Sequence, residues 1–141
     1  MWKLAFKLLA PGAAVYFMNL AALKLGLYSA WPQIDIPFHV MGGMAIGYLA
    51  VVAWQTGLGY PRATLSSIPA PIVFLTLLGF VGLVGIAWEW HEFIIDAAAR
   101  ANHWSFIPSQ PGVGDTMADL FFDLSGGAVV ILGHLLISKR K

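Results

Sequence analysis

Four long apolar runs make up most of the chain, and polar or turn-forming residues separate them. Each run is close to the ~20 residues that a helix needs to cross the hydrocarbon core of a bilayer. Backbone groups in lipid must be hydrogen-bonded within their own segment, so such runs predict α-helices. The predicted helices cover approximately residues 4–25, 37–55, 71–96 and 115–137. The pattern therefore predicts an all-α, integral membrane four-helix bundle.

The composition supports this interpretation. Of the 141 residues, 59% are hydrophobic and only 11% are charged, and the mean hydropathy is +0.76. Soluble domains are about 25% charged, so the lipid bilayer is the expected partner of this chain. We expect residues 1–141 to form a single transmembrane domain. The net charge of +1 comes without a clustered basic face, which argues against nucleic-acid binding.

Lysine and arginine residues predict the orientation of the spans, because cytoplasmic loops are enriched in them. With four spans, both termini and the 57–70 loop lie on one side of the membrane. Lys24 and Arg100 lie on the opposite side. We therefore expect a multi-pass protein of the inner (cytoplasmic) membrane with both termini in the cytoplasm. The basic residues on the cytoplasmic side are Lys3, Lys7, Arg62, Lys139, Arg140 and Lys141.

All the carboxylates fall at the predicted non-cytoplasmic ends of the helices. Ionisable side chains at bilayer depth are costly, so they often mark a functional site. Asp96 and Asp115 should lie near the membrane interface, where pairing with Arg100 or a position at a helix N-terminus explains them. The seven are Asp35, at the start of the second helix; Glu89, Glu92 and Asp96, at the end of the third; and Asp115, Asp119 and Asp123, at the start of the fourth.

Helical spacing and depth predict which of these side chains meet. Glu89 and Glu92 share one face of the third helix, whereas His91 points elsewhere. At 1.5 Å per residue, Asp123 lies about 12 Å deeper than Asp115, and His39 about 6 Å deeper than Asp35. Side chains from three helices are therefore expected at similar depth. The candidate site residues are His39, Glu89, Glu92, Asp119 and Asp123.

Three chemistries suit these residues. One histidine with several carboxylates is an oxygen-rich ligand set that suits Mg, Mn, Ca or Zn, and we predict His39, Glu92 and Asp119 as ligands of a divalent metal. Closely spaced carboxylates also share protons for general acid–base work or proton relay. Metal-activated water with a carboxylate base would combine the two into a hydrolase or transferase, with Glu89 and Asp123 as the catalytic pair.

Two other functions remain open at this level. A proton or cation pathway would need polar groups through the cytoplasmic half, where the chain offers little beyond Asn19, Gln55 and His134. That gap opposes transport by a monomer, although a homo-oligomer could still build a pore. The third alternative is a structural membrane subunit whose acids cap helices and form pairs. The depth of Glu89 and Asp123 favours a functional site over this last alternative.

Three stretches together resemble the YjdF-like family of small bacterial inner-membrane proteins. They are IDIPFHVMGG (34–43), GIAWEWHEF (85–93) and QPGVGDTMADLFFDLSGGAVV (110–130). The resemblance implies a membrane topology and a set of polar motif positions, and it does not imply a reaction. A looser similarity links the acid-bearing third helix and the Asp-rich start of the fourth to VanZ-like proteins. The family positions are occupied here by His39, Glu89, Glu92, Asp115, Thr116, Asp119 and Asp123.

Overall fold

The computed structural model describes residues 2–56, 67–104 and 108–138. These residues form helices and no strand, and four of the helices are long and apolar enough to cross a membrane. This confirms the predicted all-α fold. In chain order the elements are α1 (Trp2–Lys24), α2 (Leu27–Ala30), a short 3₁₀ helix (Pro32–Ile34), α3 (Asp35–Thr56), α4 (Ala70–Ala101) and α5 (Val113–Ser138).

Helix α4 is longer than its apolar run predicts. It has 32 residues and continues through the Ala-rich stretch after Asp96 as far as Ala101. Alanine is the strongest helix former, so the helix does not stop where the apolar run stops. At 1.5 Å per residue it extends about 48 Å, whereas the hydrocarbon core of a bilayer is about 30 Å thick. Its last turns therefore have enough length to reach the membrane interface.

The basic residues that predict the orientation fall largely on undescribed parts of the chain. Arg62, Lys139, Arg140 and Lys141 lie outside the described residues, as does the side chain of Lys3. The cytoplasmic location of both termini therefore stays a prediction.

Glycines bring α3 and α5 into backbone contact. A Cβ added to Gly43 would overlap the carbonyl oxygen of Asp123, and one added to Gly126 would overlap the carbonyl oxygen of Val40. One turn deeper, a Cβ on Gly47 would lie 3.0 Å from the Cα of Gly127. Small residues permit this close approach between membrane helices. The contact places the start of α3 directly against the first turns of α5.

The end of the bundle away from the carboxylates is closed by apolar side chains. Six buried residues from α3, α4 and α5 pack together there, with Ile131 completely buried. Large apolar side chains on the outer surface, such as Leu75 and Val129, are each 65% exposed, as expected for a surface that faces lipid. The six core residues are Ala50, Val51, Val73, Leu77, Val81 and Ile131.

Helix α1 is the least embedded of the four long helices. It packs mainly on α3, and among its described side chains only Ala22 is buried. It contacts α4 through Tyr16, whose ring meets Trp88 edge to face at 6.3 Å between centroids. The helix continues through Pro11 and Gly12 without a break. The bundle is therefore a tightly packed unit of α3, α4 and α5 with α1 against one side.

Candidate functional site

His39 lies at the centre of the polar residues inside the bundle. It is one turn along α3 from Asp35 and only 5% exposed. The Nδ1 atom of its ring lies 3.3 Å from Asp123 Oδ1, within hydrogen-bond distance. Its Nε2 atom faces two other carboxylates, at 3.7 Å from Asp35 Oδ1 and 3.6 Å from Asp119 Oδ1. The two ring nitrogens thus face different acids.

The local sequence and the glycine contact explain this arrangement. Asp35 and His39 are four residues apart on α3, and so are Asp119 and Asp123 on α5, which places each pair on one helical face. The backbone contact at Gly43 and Asp123 then presses the two faces together. The α3 pair and the α5 pair therefore form one group of four side chains.

The geometry around Nε2 is compatible with a metal ion. Ligand atoms of Asp35, His39 and Asp119 all lie within 4.8 Å of one another. Two ligand atoms that each lie about 2.1 Å from a tetrahedral zinc ion are separated by about 3.4 Å. The observed separations of 3.6 and 3.7 Å are close to that value and too long for hydrogen bonds. Only small side-chain movements would be needed to close around an ion.

Asp123 occupies the position of an orienting partner. A metal-ligating histidine usually donates its other ring N–H to a carboxylate or carbonyl, which fixes its tautomer and ring orientation. The contact between His39 Nδ1 and Asp123 Oδ1 has this form, with Nε2 left to face the two other acids. The contact therefore suits a positioning role for Asp123, and the catalytic role that the sequence assigns to it stays a prediction.

The two glutamates of α4 are buried and interact electrostatically with members of this group. Glu89 is 4% exposed and Glu92 is 8% exposed. Glu89 Oε2 accepts a 2.7 Å hydrogen bond from the Gln110 side chain, and Glu92 Oε1 accepts one of 3.0 Å from the Trp88 indole. Glu92 interacts electrostatically with Asp35, Glu89 and His39. We call Asp35, His39, Glu89, Glu92, Asp119 and Asp123 the acid–histidine cluster.

Three oxygens of the cluster have no hydrogen-bond partner among the described residues. They are Glu89 Oε1, Glu92 Oε2 and Asp119 Oδ2. A buried polar atom without a partner costs free energy, and a buried charge costs more. The cluster therefore has free acceptor oxygens: these three atoms and the two carboxylates that face Nε2. They could bind a cation, protons or the polar part of a ligand.

The charge balance points in the same direction. The cluster contains five carboxylates and one histidine, and none of its members forms an ion pair with a lysine or arginine within the described residues. Arg100 lies 3.8 Å from Asp96, about two turns beyond Glu92 on α4. Uncompensated buried carboxylates are strongly unfavourable, so the cluster requires bound positive charge, and protons or a metal ion would supply it.

Only some of the predicted site residues contact one another directly. The structure brings His39, Asp119 and Asp123 into direct contact distance, with Glu89 and Glu92 on the adjacent helix. Asp35 also has a ligand atom within 4.8 Å of those of His39 and Asp119. The sequence places Asp35 only at the start of a helix. The i, i+4 spacing of Asp35 and His39 is the signal that would have found it. His91 is exposed and packs on Trp88, at 5.0 Å between ring centroids.

Gln110 is the residue that sequence reasoning misses altogether. Its side chain donates to both the backbone oxygen and the carboxylate of Glu89, from 21 positions along the chain. The backbone amides of Ser109 and Gln110 donate to the two oxygens of Asp96, each at 3.1 Å. Asp96 is thus a buried anchor for the segment that enters α5. No periodicity in a linker predicts such a contact.

A cavity of about 280 Å³ lies beside the cluster, between α1, α3 and α4. Its polar part is formed by Asn19, Asp35, His39 and Asp123. From there it extends into the bundle along apolar residues, including Val15, Ile46 and Val84.

Fold and site together define a helical protein with four candidate membrane spans and a buried acid–histidine cluster. The chain belongs to a family of predicted membrane proteins (DUF2238), whose sequence profile matches residues 3–140. The YjdF-like group, which the three motifs resemble, is this family. No curated protein and no solved structure matches the chain significantly.

Tyr28 links Asn19 of α1 to Asp35 of the cluster. Its hydroxyl lies 2.7 Å from Asn19 Oδ1 and 3.2 Å from Asp35 Oδ1. Burial, and then the charge of Asp35, raise the pKa of the Tyr28 phenol well above its usual range, so the hydroxyl remains a donor at any ordinary pH. We expect Tyr28→Phe to lower the free energy of unfolding by about 1 kcal/mol, measured by denaturant titration in detergent. Tyr48→Phe is the control, because Tyr48 is an exposed side chain on α3; equal effects of the two changes would contradict the assigned bond.

Proposed function

We propose that the acid–histidine cluster is a divalent-metal centre and that the protein is a metal-dependent hydrolase or transferase of the membrane. Asp35, His39 and Asp119 would bind the ion. Glu92, which the sequence predicts as a further ligand, interacts electrostatically with Asp35 and His39. The observation that carries the proposal is the arrangement of His39, whose Nε2 faces Asp35 and Asp119 while Nδ1 contacts Asp123. Histidines that bind metals are commonly held in this way.

The remaining groups of the cluster suit hydrolysis or group transfer. A divalent ion here would polarise a substrate oxygen and lower the pKa of a bound water. Glu89 would be the general base, because Gln110 holds its Oε2 and its Oε1 has no partner among the described residues. A base must lie within hydrogen-bond reach of the proton that it removes, and a side chain fixed through one oxygen keeps the other in place for this.

The setting of the cluster suggests the kind of substrate. Its residues lie on helices that are candidate membrane spans, so a substrate has to reach them from the membrane or its surface. With both termini in the cytoplasm of an inner membrane, as the lysine and arginine counts predict, the cluster would face the envelope side. We therefore propose a lipid-linked envelope substrate. A relationship to VanZ-like proteins belongs to this proposal and rests on the acid-bearing third helix and the Asp-rich start of the fourth.

The alternative of a proton or cation pathway receives less support. A second polar group, in which Gln55 and Ser138 contact the ring of His134, lies toward the other end of α3 and α5. Between the two groups along the helices are the six buried apolar residues of the core, from Ala50 to Ile131. A path for ions within one chain would have to cross this packed apolar layer, so transport would require a homo-oligomer that builds its own pore.

Metal binding by purified protein tests the proposal. In detergent, the wild-type chain should bind about one equivalent of Mn²⁺ or Zn²⁺ per chain, measured by calorimetry and by elemental analysis. We expect Asp119→Asn to weaken binding by roughly 100-fold or more, because even a hydrogen-bond partner of a metal ligand is typically worth about 10–100-fold in affinity.

His134→Gln is the control, since it removes a potential metal ligand toward the other end of α5, outside the group of three ligand atoms. It should change the affinity by much less than Asp119→Asn. Folded wild-type protein that binds none of Mn²⁺, Zn²⁺, Mg²⁺ or Ca²⁺ would refute the metal centre. Equal losses in the two variants would show that the loss does not come from a ligand of the cluster.

A further inference from the structure

The cavity beside the acid–histidine cluster matches a lipid in its distribution of polarity. Asn19, Asp35, His39 and Asp123 form the polar part, and Val15, Ile46 and Val84 are among the apolar residues that line the rest. His39 and Ile46 are seven residues apart on α3, which corresponds to about 10 Å along the helix. A ligand that fits this cavity is polar at one end and apolar over the rest of its length.

The size of the cavity limits what fits inside. Its volume of about 280 Å³ is far more than the roughly 10–15 Å³ that one water needs. That is enough for a segment of a hydrocarbon chain. Water is a poor occupant of the apolar part, since a buried water needs two to four polar partners. If the cavity were empty, the side chains that line it would lack packing contacts on that side.

Access is available from the side of the bundle. Helix α1 packs mainly on α3, and it meets α4 through the contact of Tyr16 with Trp88, near the polar part. One turn deeper, a Cβ added to Gly12 would have no atom within 4 Å, although Gly12 lines the cavity. All residues that line the cavity belong to candidate membrane spans. The solvent next to the gap between α1 and α4 is therefore the bilayer itself.

We infer that this cavity binds one hydrocarbon chain of a membrane lipid, which enters between α1 and α4 and places its polar head at the acid–histidine cluster. The inference rests on the proposed function in one respect, since it makes that lipid the substrate of the cluster. Chain binding in the cavity is a separate physical property and is measured separately.

Photolabelling in vesicles tests the inference. The full chain is reconstituted in phosphatidylethanolamine–phosphatidylglycerol vesicles containing a trace of a phospholipid or of an isoprenyl phosphate, each with a photoreactive diazirine in its hydrocarbon chain. After irradiation, mass spectrometry locates the labelled residues. We expect one or both probes to label the cavity residues Val15, Ile46 or Val84, and the more efficient probe indicates the source of the chain.

Two substitutions should block the cavity. Gly12→Phe places a ring in the cavity without a clash at Cβ, and Val15→Trp adds bulk on the same face of α1. Cavity labelling should fall by about tenfold in each, because displacing only two buried methylenes costs that much affinity. The matched controls are Gly133→Phe, whose added Cβ also meets no atom within 4 Å, and Val129→Trp, at a lipid-facing position. Both should retain wild-type labelling.

The outcomes separate the two proposals. Labels confined to outward-facing residues of the wild-type chain, or cavity labelling that neither folded cavity variant reduces, would overturn the inference. Metal titration of the same preparations reports on the metal centre independently, and Gly12→Phe should bind metal like the wild type. A chain whose cavity is labelled but which binds no metal would refute the metal centre while leaving the lipid site standing.

Discussion

Gly126→Ala is expected to destabilise the protein by about 3 kcal/mol or more, the upper range for overpacking a well-packed contact. The added methyl would overlap the backbone carbonyl of Val40, and a backbone atom cannot move aside as a flexible side chain can. Helices α3 and α5 would have to separate. Alanine is a better helix former than glycine by about 1 kcal/mol, so a loss of stability can come only from the helix contact.

Gly133→Ala is the control on the same helix, because its added Cβ meets no atom within 4 Å. It should leave stability unchanged or raise it by up to about 1 kcal/mol. Both variants can be compared by denaturant titration in detergent with tryptophan fluorescence as the readout. If Gly126→Ala is as stable as Gly133→Ala, the backbone contact between α3 and α5 is wrong.

The same substitution should also affect the cluster. Gly43 abuts the backbone of Asp123, one turn from His39, so a wider helix separation moves Asp119 and Asp123 away from the imidazole. Any folded Gly126→Ala or Gly43→Ala protein is therefore expected to lose metal affinity. The glycines contribute to the candidate site although none of them offers a ligand atom.

Asp96→Ala should have the second largest effect, because Asp96 is 1% exposed and accepts backbone hydrogen bonds from Ser109 and Gln110. Removing the carboxylate leaves both amides without a partner, at a cost of about 2 kcal/mol or more in total. The segment that precedes α5 should detach from α4, and Gln110 should lose its position on Glu89. Amide hydrogen exchange at Ser109 and Gln110 measures this directly and should become at least about tenfold faster.

Arg100→Gln separates this effect from the loss of an ion pair. Arg100 is 53% exposed and lies 3.8 Å from Asp96, which is too far for a hydrogen bond, and both backbone amides keep their bonds to the carboxylate when Arg100 is replaced. Exchange at Ser109 and Gln110 should stay near the wild-type rate in this variant. Unchanged exchange in Asp96→Ala would show that the anchor does not hold the segment in solution.

The four candidate membrane spans follow from the chain's own pattern, for a simple physical reason. A run of about 20 apolar residues has lipid as its solvent and must satisfy its own backbone hydrogen bonds, so both its location and its helical structure are local properties. The shared face of Glu89, Glu92 and Asp96 is equally local, and all three are buried, while His91 on another face is exposed. The depth of each acid follows from counting residues along its helix.

Contacts between helices depend on the relative rotation and separation of the helices, which the sequence of one segment does not determine. The grouping of Asp35 with His39 and Asp119, with Glu92 on the neighbouring helix, depends on how α3 and α5 are rotated about their axes and how closely they approach. The backbone overlap that the glycines permit sets both. The bond from Gln110 to Glu89 depends on the path of a linker, and the cavity depends on the loose fit of α1 against α4. The residue pattern thus predicts which polar groups enter the membrane and how deep they lie, while packing selects which of them meet, because contact distances arise only when separate helices are pressed together.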